Sequence, residues 1–116
     1  MPTKQPPLHP VQETLLSALG ERIRLARLRR GIAVEVLCVR AGIARMTLYR
    51  LEAGSPAIAL GTLVRVLSVL SLESDLESIG RDDRLGRLLQ DRELPARRRK
   101  AQPSAQRYGA QSLRHP

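Results

Sequence analysis

A chain of 116 residues with 20 Lys and Arg against 11 Asp and Glu carries a formal charge of +9 at pH 7, an excess that suits a polyanionic partner. Its single Cys excludes an intramolecular disulfide and a Cys-rich zinc module and fits a reducing cytoplasm, while the lack of Phe and Trp removes the usual platforms for stacking single-stranded bases. The opening MPTKQPPLHP has no signal-peptide apolar region and no apolar run reaches membrane-spanning length, so neither secretion nor a membrane partner is expected.

Residues 1–10 read as a Pro-rich, flexible leader. Leu15, Leu19, Ile23 and Ala26 then recur at helical spacing and predict a long first helix to about Arg30, ended by Gly31. A second helix is expected over 34–41 and a third over 45–52, followed by a loop at Gly54, Ser55 and Pro56. Leu60, Leu63, Val64, Leu67 and Leu70 form the stripe of a fourth helix that closes the core, and a fifth element near 74–79 contributes Leu76 and Ile79. Residues 11–80 thus make one all-α domain of five helices with a modest core.

Beyond it, residues 81–95 form a short amphipathic segment. Asp82 or Asp83 caps a helix presenting Leu85, Leu88 and Leu89, and Pro95 stops it. With Leu94 these are more leucines than a solvated linker needs, which makes the segment a candidate interface for a partner. Packing back onto the same domain is the competing expectation. Residues 96–116 are Arg, Gln, Ser, Pro and Ala without apolar periodicity, and are expected to be a disordered basic tail. Charge follows the same division: residues 1–54 hold nine basic and four acidic groups, residues 55–94 five and seven, and residues 95–116 six and none. The middle of the chain is therefore expected to face protein or solvent.

The most informative stretch is VEVLCVRAGIARMTLYRLEA, residues 34–53. Gly42 suits the left-handed end of a short helix, Leu37, Cys38 and Ala41 fall on one side of that helix, and Ile43 fills the elbow. Leu48 and Leu51 continue the apolar contact on the next helix, leaving Arg45, Met46, Tyr49 and Arg50 outward. Such spacing describes a helix-turn-helix whose second helix enters the major groove of double-stranded DNA. Arg45 near the start of that helix reaches the O6 and N7 of guanine, a bidentate contact worth about 1 to 3 kcal/mol of discrimination. Met46 offers apolar contact to a thymine methyl, Thr47 and Tyr49 carry hydroxyls for phosphate, and Arg50 reads a second base or grips the backbone. The tail cluster Arg97, Arg98, Arg99 and Lys100 is expected to add phosphate contacts without sequence preference, an acidic protein being its alternative partner.

Residues 19–79, through LGERIRLARLRRG, the RLEAG ending of the motif and LGTLVRVLSVLSL, resemble the Xre/Cro-type helix-turn-helix regulators, whose fold is lambda-repressor-like. More narrowly, RMTLYRLEAGSPAIALGTL with LESIGRDDRLGRLLQDRELPARRR is similar to HipB-like antitoxins of HipA-type kinase toxins. The resemblance implies base reading by Arg45, Met46 and Arg50, and an ion pair of Glu52 with Arg27 that fastens the recognition helix to the first. It also implies a homodimer on a palindromic operator in a bacterial cytoplasm, repressing a toxin-antitoxin operon and holding its toxin. A stand-alone repressor, or an adaptor that keeps the fold without operator binding, are the alternatives. The chain departs from the family at Val34, where a phosphate-bonding Gln is common, and at Ala33, Ala44 and Ala59, where Ser or Thr commonly cap the helices.

Catalysis is not expected. His9 and His115 lie in the end segments, Cys38 is expected to be buried without a base beside it, and Asp82 and Asp83 read as a helix start. No cofactor and no metal site is expected.

Overall fold

The computed structural model of the chain describes residues 6–93, and all regular structure within them is helical. The chain divides into two units, one ending at Glu77 and the other beginning at Ser78. The first holds α1 (Pro10–Arg29), α2 (Val34–Ala41), α3 (Arg45–Glu52) and α4 (Leu60–Val69), and the short 3-10 helix Glu73–Ser78 runs to its boundary. The fold is therefore all-α, as the periodicity predicts, with the fifth element a 3-10 helix in place of an α-helix.

Each helix of this unit is punctuated by its sequence. Pro10 opens α1, where a fixed φ and a missing N–H cost least, and the His9 N–H donates to Gln12 Oε1 at 3.0 Å. His9 is thus the cap position of α1, which corrects the expectation that it belongs to a flexible leader. The ends of α1 to α4 share one device. Ile32 N–H donates to the Arg27 carbonyl at 3.1 Å, Ile43 to Cys38 at 3.0 Å, Ser55 to Arg50 at 2.9 Å and Leu72 to Leu67 at 2.8 Å. Each of these bonds closes over a left-handed residue, Gly31, Gly42, Gly54 and Ser71 in turn. The starts are less well served: Ala33, Ala44 and Ala59 hold the extended cap conformation and make no side-chain cap bond.

The core gathers Ile23 and Ala26 of α1, Leu37, Cys38 and Ala41 of α2, Leu48 and Leu51 of α3, and Val66 and Leu67 of α4 with Leu70 beyond it. Ile43 is half-buried against this cluster at the elbow. Three sequence expectations need correction. The side of α4 that meets the core is the half-buried Leu63 with the buried Val66 and Leu67, continued by Leu70 just past the helix, whereas Leu60 is 78% exposed and Val64 lies at the surface. Leu15 is exposed on α1. Of the two residues assigned to the fifth element, Leu76 packs on the core and Ile79 is 76% exposed.

Helix α1 packs against α3, and α2 against both α3 and α4. The α1 to α3 approach is close enough to dictate residue type. A Cβ on Gly20 would stand 2.5 Å from the Glu52 carbonyl oxygen and 2.6 Å from that of Leu51. One on Gly54 would meet the Ser17 Cα at 2.7 Å. Gly20 within α1 and Gly54 in the turn just past α3 thereby let the end of α3 and that turn lie directly on the backbone of α1.

The second unit carries α5 (Arg84–Glu93). Asp83 Oδ1 accepts the Gly86 N–H at 3.0 Å, so Asp83 is the cap, while Asp82 pairs with Arg87 at 3.0 Å. Leu85, Leu88 and Leu89 of α5 are exposed. Leu94 and the cluster Arg97, Arg98, Arg99 and Lys100 lie outside the described residues. Among the described residues no helix is long and apolar enough to cross a membrane.

Candidate nucleic-acid interface

Helix α3 has only eight residues, and its placement rests on what its inner edge meets. Leu48 and Leu51 are buried in the core, and the last residue, Glu52, is fixed by charge. Arg27 Nε donates to Glu52 Oε2 at 2.7 Å and Arg27 Nη2 to Glu52 Oε1 at 3.0 Å. The guanidinium and carboxylate planes therefore meet edge to edge, with both side chains under a tenth exposed at 9% and 7%. The remaining Arg27 nitrogen, Nη1, donates to the Ile32 carbonyl at 3.1 Å. One side chain thus joins α1, the turn that leads into α2, and the far end of α3. Hydrogen bonding to Glu52 holds the Arg27 guanidinium above its ordinary pKa, against burial, which acts in the opposite direction.

The outer edge of α3 carries Arg45, Met46, Tyr49 and Arg50, all exposed, while Thr47 is half-buried and offers less to a ligand. Arg50 forms no ion pair among the described residues. Arg45 does: its Nη2 stands 3.1 Å from Glu35 Oε2 in the first turn of α2. The structure therefore brings together the pair Arg27 and Glu52, and sets Arg45, Met46, Tyr49 and Arg50 on one outward face.

Two residues of this arrangement escaped the reading of the sequence. Glu35 precedes Arg45 by ten positions, and the Gly42 elbow that folds one helix back on the other is the signal that pairs them. Gly20 sits inside a helix, where glycine costs about 1 kcal/mol relative to alanine, and that cost was the available hint of a close approach. Cys38 lies within the core, and burial pushes its thiol above its ordinary pKa, which disfavours the thiolate. Among the described residues no group of three His, Cys, Asp or Glu side chains is placed to hold a metal ion.

Residues 18–78 match the helix-turn-helix domain family, just over half of the 116-residue chain, and the chain belongs to that family. The matched range contains α2, the Gly42 elbow, α3 and both members of the Arg27 to Glu52 pair. The protein is a DNA-binding regulator of the helix-turn-helix class. No curated protein matches the chain as a relative.

Proposed function

We propose that this regulator is a sequence-specific repressor that binds double-stranded DNA as a homodimer, without catalytic activity, in a bacterial cytoplasm. The observation that carries the reading is the outward face of α3, where Arg45 and Arg50 are exposed on a helix whose other edge is anchored through Arg27. A helix so held presents its donors to a major groove with little freedom left to lose on binding. A two-fold dimer on a palindromic site would place the two α3 helices about one DNA turn apart.

The narrower reading is a HipB-like antitoxin that represses its own operon and holds a HipA-type kinase toxin. It is supported by the similarity of residues 45–63 and of the segment through α5 to such antitoxins, and the exposed Leu85, Leu88 and Leu89 are the surface assigned to the partner.

Duplexes selected from a random library by the full-length protein test the central claim. Arg45→Ala and Arg50→Ala are expected to weaken binding to the selected duplex about tenfold each, in keeping with one base contact, while random duplex loses less. Unfolding free energies should stay within about 0.5 kcal/mol of the parent, because both side chains are exposed. Equal losses on both duplexes would reduce the two arginines to phosphate contacts. Failure to select any sequence, with only salt-sensitive retention, would favour an adaptor that keeps the fold alone.

A further inference from the structure

We infer that Glu35 is a positioning residue that aims Arg45 at a base and keeps it off phosphate. The inference rests on the reading of α3 as the helix that enters the groove. Arg45 is the first residue of α3, at the positive end of that helix's dipole, and no acidic residue lies in the first turn to balance it. Glu35 lies in the first turn of α2, where a carboxylate is favoured, and reaches Arg45 across the elbow at 3.1 Å. The two helix starts are thus joined by one ion pair.

The pair adds little to the stability of the fold. Its side chains are 56% and 62% exposed, and ion pairs so exposed contribute little to stability in water. The buried Arg27 to Glu52 pair at the opposite end of α3 does that work. What the Glu35 contact fixes is direction. A guanidinium on an unconstrained stem grips whichever phosphate is nearest, which adds affinity without sequence information. With Nη2 drawn to within 3.1 Å of Glu35 Oε2, the Arg45 head is held toward the elbow, and its coplanar N–H groups, a second one on Nη2 among them, face a two-acceptor edge such as the O6 and N7 of guanine. The carboxylate also repels phosphate from the Arg45 head. Exclusion of water as the groove closes over the pair strengthens both effects.

The test uses the full chain with a duplex that it selects from a random library and with random duplex. Glu35→Ala is expected to lower the ratio of selected to random affinity about fivefold, part of what a bidentate guanine contact supplies, while affinity for random duplex rises roughly twofold as a repelling charge is lost. In an Arg45→Ala background the same substitution should leave the ratio unchanged, since nothing remains to be aimed. A rise of equal size on both duplexes would make Glu35 a simple repeller of phosphate and overturn the positioning role. An unchanged ratio, or the same fall with Arg45 absent, would overturn it too. These outcomes differ from failure of the underlying reading, in which Arg45→Ala alone leaves the ratio intact.

Discussion

Along α3 the inner edge, Leu48, Leu51 and Glu52, is packed and bonded, while the outer edge, Arg45, Met46, Tyr49 and Arg50, is exposed. On the inner side a side chain is fixed by several neighbours at once, as Arg27 is by Glu52 and the Ile32 carbonyl. On the outer side, among the described residues, a single ion pair at the surface holds Arg45. The packed surface and the proposed recognition surface are therefore different residues of the same two turns of helix, and substitutions on the two edges should separate cleanly into two kinds of loss.

The largest loss on the inner edge is expected at Glu52. Glu52→Ala leaves the Arg27 guanidinium buried without its carboxylate, and the expected cost is about 3 kcal/mol of unfolding free energy. Urea denaturation measures it, and a midpoint equal to that of the parent would mean that the inner edge is not what holds α3. A smaller effect is expected at the close approach. Gly20→Ala places a methyl group against the carbonyls of Leu51 and Glu52, so α3 must shift, at a cost of roughly 1 to 3 kcal/mol. Because the shift moves the outward arginines with the helix, affinity for a duplex selected by the parent protein should fall at temperatures where the variant is still fully folded. Retained affinity in a folded variant would show that α1 tolerates the methyl without displacing α3.

The smallest effect sharpens the contrast where the two edges meet. Ala44 is the cap position of α3 and makes no side-chain bond, so Ala44→Ser should raise the unfolding free energy by about 1 kcal/mol. Paired urea titrations read the difference. A lowered midpoint would indicate that the start of α3 has no room for the hydroxyl to turn back on its own backbone.

The limits of α2 and α3 were legible because Gly42 and the apolar residues on either side of it act over a few positions. The Arg27 to Glu52 pair followed from likeness to a family and not from spacing, since 25 residues separate its members. The face of α4 was not legible. In LGTLVRVLSVL the sets 60, 63, 64, 67 and 63, 66, 67, 70 are equally helical in period, and contact with α2 selects the second, burying Val66 and leaving Leu60 outside. Gly20 was illegible for a related reason: its constraint comes from carbonyls more than thirty positions away, on a helix whose angle only the assembled core defines. Leu15 and Ile79 lie near the ends of the periodic region, where the pattern continues after the neighbours that would cover it have stopped.

The joint of Gly20 and Gly54 has a consequence for how this protein can change over generations. Two positions without side chains let backbone rest on backbone, so the tilt of α3 is set by atoms that every amino acid shares and is indifferent to what stands on the helix's solvent side. Arg45, Met46, Tyr49 and Arg50 can then be exchanged, singly or together, without retuning the scaffold. A lineage built on this joint would acquire new target sequences by surface drift, while the same drift at either glycine would be purged.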